Sequence, residues 1–178
     1  MPRPLRSTFP YGYWHVTSRG VDGRLIFMDV EDRQVFLLML ERVIRRFGWR
    51  RHAYCLMSNH YHAVIECGQP ELSDGMGRLN GLYASQFNQR HGRVGHLFQR
   101  RFESRAIEDE RQLQVACRYV LANPVRAGLC NAVGEWPWSG PARCGQRALA
   151  KRCTAASNSS VFARASTSSP DASAPATQ

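Results

Sequence analysis

The sequence predicts an α+β fold on three observations. Segments in which aromatic or β-branched residues alternate with polar ones are interspersed with segments of helical periodicity. Two of the alternating segments lie close enough to form a hairpin, and Gly, Asp or Asn residues stand at most of the boundaries. The resulting order, β-α-β-β-α-β, is the ferredoxin-like arrangement, in which two helices cover one face of a four-stranded antiparallel sheet. A third helix follows this unit, and we expect it across or beside the open face.

Each element of the unit has a local signature. Asp29 or Asp32 can cap the first helix, and Gly48 ends it. Only Ser58 and Asn59 separate the second and third strands, which therefore form the hairpin. In chain order the predicted elements are strand 11–19, a helix ending at Phe47, strand 49–57, strand 60–66, a helix with apolar positions from Leu72 to Phe87, and strand 102–107.

The third helix begins at Asp109, which forms a capping-box pattern with Gln112 three residues later. Its apolar positions recur at helical spacing from Leu113 onward. Because Pro124 disfavours helical geometry in the residue before it, we predict that this helix ends at Asn123.

The composition changes near residue 140. From there to residue 178 the chain is dominated by Ala, Ser and Thr without apolar periodicity, which predicts a disordered tail. We therefore expect one folded domain within residues 1–139 and a tail at 140–178. The longest apolar run, Val35–Leu40, is far shorter than the roughly 18 residues of a membrane span, and no secretory signal is visible. A cytoplasmic protein without a membrane partner is expected.

The charge balance favours a polyanionic partner. Lys and Arg number 24 against 14 acidic residues, a net charge of +10, and Lys151 is the only lysine. Arginine grips phosphate through parallel hydrogen bonds and stacks on bases, which makes nucleic acid the expected partner. A genome rich in G and C would also encode arginine in place of lysine, so the excess of arginine by itself does not identify the partner.

His60 and His62 lie two residues apart on the predicted third strand, so their side chains project from the same face. Two imidazoles in this arrangement can share one metal ion, or they can be polar residues of a solvated face. Because Tyr61, Ala63 and Ile65 would face the helices, we assign the histidines to the open face of the sheet.

Tyr119 and Asn123 are four residues apart on the third helix, and so they lie on one helical face. A phenol beside an apolar stripe usually packs its ring and exposes its hydroxyl group. The spacing alone does not show that this helix meets the histidines.

Arginines accompany aromatic residues before and along the fourth strand. Arg100, Arg101 and Arg105 are interleaved with Phe98 and Phe102. This is the composition of single-strand binding surfaces, in which charge contacts the backbone and rings stack on bases. We therefore predict that these three arginines contact DNA, although alternate strand residues face opposite ways and some of them belong to a solvated face.

Three blocks of sequence together resemble one protein family. They are YGYWHVTSRG at 11–20, SNHYH at 58–62 and CRYVLANPVRAGL at 117–129. The combination is similar to the REP-associated tyrosine transposases, which belong to the single-tyrosine transposases of the HUH endonuclease superfamily. The resemblance covers about residues 1–139, with the blocks in the right order.

The resemblance implies a metal-dependent endonuclease and strand transferase that nicks single-stranded DNA next to hairpin repeats of the REP type. His60 and His62 match the histidine pair that holds Mg²⁺ or Mn²⁺. Tyr119 matches the nucleophile that becomes a 5′-phosphotyrosine. Asn123 matches the position of an amide ligand to the metal, where related insertion-sequence enzymes more often have Gln.

Other polar side chains of the chain are interpreted as structural. Tyr61 faces away from its histidine neighbours, and Tyr83 belongs to an apolar helical stripe. His15 and His52 lie on strands as satisfied structural histidines, although both could line the same sheet face. Asn80 on the second helix is interpreted as a surface residue.

Two other functions stay open at this point. The same element order occurs in RNA-recognition modules, so the chain could be a non-catalytic module that binds single-stranded DNA or RNA. It could also be an inactive transposase remnant that still binds DNA. In the family, a patterned and often basic segment follows the block that WPWS at 136–139 resembles, and here the Ala/Ser/Thr-rich stretch takes its place. A monomer and a homodimer are both compatible with the sequence.

Overall fold

Five strands and three helices account for the described part of the chain in this computed structural model, residues 11–141. The elements are β1 (Tyr11–Arg19), α1 (Val30–Phe47), β2 (Arg50–Leu56), β3 (His60–Gly68), α2 (Gln69–Arg90), β4 (Glu103–Ile107), α3 (Glu110–Arg126) and β5 (Ser139–Pro141), with a 3₁₀ turn at Val21–Gly23. The predicted α+β class and the β-α-β-β-α-β order are confirmed. None of the helices within residues 11–141 is long and apolar enough to cross a membrane.

The strands pair antiparallel in one sheet, in the order β4-β1-β3-β2-β5. The central ladder joins β1 to β3 over the full length of both strands. In this register Thr17 lies opposite His62. The pairing therefore brings polar side chains of β1 next to the histidine pair of β3.

The sheet has one strand more than the sequence predicts. β5 pairs with the outer edge of β2. Nearby, the Leu56 amide donates to the carbonyl of Trp138 at 2.9 Å, and Trp136 Nε1 donates to the carbonyl of Leu56 at 2.9 Å. So short a strand carries no periodicity of its own and depends on these contacts. It extends to Pro141, and the rest of the predicted tail, 142–178, lies outside the described residues.

Helices α1 and α2 cover one face of the sheet. Phe36 of α1 and Tyr83 of α2 are fully buried, with ring centroids 5.0 Å apart. The ring of Tyr61 lies 4.6 Å from Phe36, and Ala63 and Ile65 belong to the same core. Alternate residues of β3 therefore face the two helices as predicted, and the others face the opposite side.

Helix α3 packs on that opposite side. Its Val120 is completely buried in a second core that includes Val64 of β3 and Ile107 of β4. The predicted cap at its beginning is confirmed, since the Asp109 carboxylate accepts from the Gln112 amide at 2.7 Å.

The prediction that α3 ends at Asn123 is wrong, because the helix continues to Arg126 with Pro124 inside it. A proline cannot donate to the carbonyl four residues earlier, here that of Val120. The Asn123 side-chain amide approaches this carbonyl at 3.5 Å, and beyond the proline the Ala127 amide donates to the carbonyl of Asn123 at 3.0 Å. Pro124 is buried, so packing against the sheet outweighs the local preference.

Candidate active site

A cavity of about 410 Å³ opens on the α3 side of the sheet. Its walls come from β1, β3, α3 and the segment that leads into β4. The four side chains that the sequence predicts as metal ligands and nucleophile all line it, namely His60, His62, Tyr119 and Asn123. Residues 63 positions apart in the chain thus meet in one place, although their chemical roles stay predictions.

The histidine pair projects from one face of β3. The ring centroids of His60 and His62 are 5.0 Å apart, with the ring planes perpendicular. His60 is half-buried and its Nδ1 lies 2.7 Å from Asn59 Oδ1. His62 is 8% exposed, and its Nδ1 lies 2.9 Å from Thr17 Oγ1 and 3.1 Å from His15 Nε2. Each imidazole is therefore held through Nδ1.

Burial keeps these imidazoles neutral. It is the main reason that the pKa of His62 falls to about 3, and the nearby His15 and His60 lower it further. Burial also lowers the pKa of His60, with a smaller contribution from Arg19, and that of His15, with a smaller contribution from Arg105. Neutral imidazole is the form that binds a metal ion.

Tyr119 faces the histidines from α3. The centroid of its ring is 5.9 Å from that of His15 and 6.0 Å from that of His62, both edge-on. The guanidinium group of Arg126 lies over the face of the Tyr119 ring, with its carbon 5.1 Å from the ring centroid. Tyr119 is 42% exposed, so a polymer could reach its hydroxyl group.

Asn123 stands one turn after Tyr119 on the same helix. Its Nδ2 donates to the Tyr119 carbonyl at 2.9 Å. This hydrogen bond directs the amide nitrogen of Asn123 toward the helix backbone. The amide oxygen, Oδ1, is left as the acceptor that this cavity-lining side chain can offer.

The side chains of the cavity offer a small set of donors for a divalent cation. No three His, Cys, Asp or Glu side chains within residues 11–141 cluster so as to hold a metal ion. Two neutral histidines and one amide oxygen remain, which can hold a cation while leaving positions for phosphate and water. The residues therefore fit the expected ion as a partial, open ligand set.

The predicted DNA-contacting arginines differ in their positions. Arg100 lines the cavity, and its exposed side chain forms a long ion pair with Glu103, at 3.5 Å. Arg105 is exposed on β4 directly opposite His15. Arg101 is also exposed, and its carbonyl accepts from Asn80 in the protein interior. Arg100 and Arg105 thus lie nearest to the candidate site.

Two other tyrosines are structural, as predicted. The buried Tyr61 hydroxyl donates to Asn80 Oδ1 at 2.7 Å, and burial raises its pKa. The Tyr83 hydroxyl donates to the carbonyl of Ile26 at 2.5 Å, and burial raises its pKa as well. Neither hydroxyl is available to a polymer.

The interpretation of Asn80 as a surface residue is wrong. It is 6% exposed, and besides accepting from Tyr61 it donates to Ser18 Oγ at 2.8 Å and to the carbonyl of Arg101 at 2.6 Å. Its amide thus joins α2, β1, β3 and the segment before β4. The polar character of Asn favours solvent, whereas three hydrogen-bonding groups of the core satisfy the Asn80 amide.

Sequence reasoning missed four residues around the cavity. Thr17 and Asn59 carried no signal beyond their places in a strand and a turn, and His15 was interpreted as structural. Arg126 was missed because the predicted helix ended before it. The alternation of β1 would have found His15 and Thr17 if the pairing of β1 with β3 had been known.

Comparisons with known proteins show which family the chain resembles and which fold it shares. The sequence profile of the IS200-like transposase family matches residues 13–123, more than half of the chain. A REP-associated tyrosine transposase of Haemophilus influenzae is 27% identical over 100 residues, which cover 49% of this chain and 56% of that relative. The match thus spans little more than half the length of the relative.

A solved structure shares the fold. It is that of a REP-associated tyrosine transposase bound to a REP hairpin, and it superposes with a TM-score of 0.64. The two chains are 21% identical, and the match covers 78% of this chain and 82% of the other.

Proposed function

Because this chain belongs to the IS200-like transposase family, we propose that it is a metal-dependent transesterase that nicks single-stranded DNA next to hairpin repeats of the REP type. The observation that carries the proposal is the meeting of one tyrosine, two neutral histidines and one amide oxygen in a single cavity. The similarity to a REP-associated transposase that was solved with a REP hairpin supports the choice of DNA. With this substrate the protein would act in the cytoplasm.

His60, His62 and Asn123 would hold the divalent cation, Mg²⁺ or Mn²⁺. The cation would neutralise charge on the non-bridging oxygens of the scissile phosphate. Because both histidines project from a central strand of the sheet, these two ligands would be held in place before DNA binds, which limits the reorganisation needed for reaction.

Tyr119 would be the nucleophile. Its phenolic oxygen attacks phosphorus and forms a new P–O bond while the bond between phosphorus and the 3′ oxygen breaks. The phenol proton leaves to solvent or a neighbouring group, and the departing 3′ oxygen takes up a proton to become a hydroxyl group. One ester replaces another, so a 3′-hydroxyl can later attack the 5′-phosphotyrosine and rejoin the strand without ATP.

Arginines would guide the strand into the cavity. Arg100 lines the cavity and Arg105 lies opposite His15 in the sheet. Both arginines are exposed. We include Arg101 as a contact on the neighbouring surface. The net charge of +10 would strengthen the approach of DNA from a distance.

Covalent trapping on a denaturing gel tests the proposal. Labelled hairpin DNA with a single-stranded flank is incubated with the protein and Mn²⁺, with and without chelator. We expect a protein–DNA band that requires the metal and disappears in Tyr119→Phe. Tyr13→Phe is the matched control, because Tyr13 lies on the same side of the sheet but outside this cavity, and it should retain the band.

Hairpin binding measured in parallel separates the alternatives. Binding without any covalent band in the wild type would refute nicking and favour a non-catalytic binding module or an inactive remnant. A band that persists in Tyr119→Phe would refute the assignment of the nucleophile.

A further inference from the structure

We propose that Asn59 is a positioning residue that selects the tautomer of His60, so that Nδ1 carries the proton and Nε2 presents its lone pair. The inference rests on the proposed function only in taking His60 as a metal ligand. The tautomer itself is a property of the protein without metal or DNA.

The polarity of two hydrogen bonds carries the inference. His60 Nδ1 lies 2.7 Å from Asn59 Oδ1. An amide oxygen only accepts, so Nδ1 must donate, and in a neutral imidazole the other nitrogen then has no proton. That nitrogen, Nε2, belongs to a ring that lines the cavity.

A second contact determines which way the Asn59 amide points. Its Nδ2 donates to the carbonyl of Gly23 at 3.0 Å. If the amide were flipped, its oxygen would face the Gly23 carbonyl, and two acceptors would meet. The Gly23 carbonyl thus decides the orientation of the amide, and the amide decides the tautomer of His60.

The Val21–Gly23 turn, which supplies this carbonyl, has a backbone conformation that few residues adopt. Asp22 and Gly23 have φ values of 53° and 71°, in the left-handed region. The Gly20 amide donates to the Asn59 carbonyl at 2.9 Å, and a Cβ at Gly20 would come within 2.1 Å of the Arg24 carbonyl oxygen. The turn and Asn59 are therefore tied together through both backbone and side chain.

His62 shows what such an orienting group must supply. Its Nδ1 is within hydrogen-bond distance of the Thr17 hydroxyl and of His15 Nε2. A hydroxyl group and an imidazole can each donate or accept, so neither contact dictates a tautomer. Of the two histidines of the pair, His60 is the one whose partner, an amide oxygen, permits a single tautomer.

Long-range ¹H–¹⁵N NMR of the histidine rings tests the inference on metal-free, DNA-free protein at a pH where the rings are neutral. In the wild type we expect His60 to be protonated at Nδ1 and unprotonated at Nε2. In Asn59→Ala we expect the two nitrogen shifts to move toward each other as both tautomers become populated. Asn88→Ala is the matched control, because it removes another amide–carbonyl hydrogen bond, to Gly95 at 2.8 Å, and should leave His60 unchanged.

Binding of Mn²⁺ alone provides a second readout. Loss of an orienting partner typically weakens a metal site by about 10- to 100-fold, and we expect Asn59→Ala to fall in this range while Asn88→Ala binds as the wild type does. A His60 protonated at Nε2 in the wild type would overturn the inference, as would unchanged ring shifts or unchanged Mn²⁺ affinity in Asn59→Ala. The wild-type spectrum can overturn the inference even if the variant fails to fold.

These outcomes are independent of nicking. If the wild type has the expected tautomer and Asn59→Ala loses it, but the wild type traps no DNA, the role of Asn59 stands and the proposed function falls. If the wild type traps DNA but His60 is protonated at Nε2, the proposed function stands and the role of Asn59 falls.

Discussion

At His62, burial favours the neutral imidazole, which is also the form that binds a metal ion. The side chain is 8% exposed, and burial, followed by the charges of His15 and His60, lowers its pKa to about 3. Because the ring stays neutral, one of its two nitrogens keeps a lone pair available at neutral pH. A cation that binds here therefore displaces no proton from this ring.

We expect His62 to make the fold sensitive to mild acid. The unfolded chain binds a proton at this residue below pH 6.5, whereas the folded chain does not do so until about pH 3. The stability that neutral His62 contributes is therefore fully present above pH 6.5 and is lost as the pH falls from 6.5 toward about 3. Between pH 7 and pH 5 the free energy of unfolding should fall by about 2 kcal/mol through this residue. Urea titrations of the wild type and His62→Gln, in which the dependence should flatten, measure it.

Asp29 affects stability in a different pH window, whereas His15 and His60, whose pKa values burial also lowers, remain in place in His62→Gln. The pKa of Asp29 is lowered to about 2, mainly by its hydrogen bond with Arg90, so its contribution is lost only between its usual 3.8 and about 2. An unchanged slope in His62→Gln would contradict the assignment.

Among the elements, α3 supplies Tyr119 and Asn123 to the candidate site, and its length matters. Tyr119 and Arg126 are seven residues apart, about two helical turns, so they share a face. Continuation of the helix past Pro124 is what brings the guanidinium group over the Tyr119 ring. A helix that ended at Asn123 would have left Arg126 outside regular structure.

We expect Arg126→Leu to slow covalent trapping of DNA about two- to fivefold. The reason is that a cation–π contact at an exposed site contributes about 0.5–1 kcal/mol to holding the ring. Arg126→Lys keeps a cation and should retain most of the rate. Time courses of band formation measure the effect.

The control for this prediction lies on the same helix. Arg118→Leu removes an exposed arginine adjacent in sequence to Tyr119 but not stacked on it, and the trapping rate should stay near that of the wild type. Equal slowing by both substitutions would indicate a general loss of charge rather than positioning of the ring.

At the scale of the whole molecule, the two faces of the sheet differ in what they present. Helices α1 and α2 close one face over the main core. The other face carries the cavity, with Arg100 in its wall and Arg105 on the adjacent strand. If DNA binds to this face, the salt dependence of its affinity should decrease when particular arginines of the face are replaced.

We expect Arg100→Gln and Arg105→Gln each to reduce the slope of log affinity against log salt by about 0.7, because each removes one contact with a single-strand phosphate. Fluorescence anisotropy with labelled hairpin DNA at a series of NaCl concentrations measures the slope. Arg45→Gln on α1 is the control, since α1 covers the opposite face. An equal loss of slope in Arg45→Gln would contradict a DNA site on the α3 side.

Most of the fold could be predicted because its signals are local. The end of α1 at Gly48, with φ of 66°, follows from the residue itself, and the alternation of β3 predicts which side chains reach the core. β5 could not be predicted, because it depends on contacts of Trp136 and Trp138 with Leu56. The end of α3 was missed for the same reason, since burial of Pro124 overrides its local preference.

By itself the sequence determined the order of elements, the shared face of His60 and His62, and the spacing of Tyr119 and Asn123. These are periodicities within single elements, and they need no knowledge of the partner. Tertiary structure alone decided that helix and strand meet at one cavity, and that His15 lies against His62 although 47 residues separate them. It also decided the orientation of the amide at Asn59. Contacts of this kind depend on the register of strands and the packing of a helix, which are set by the whole chain.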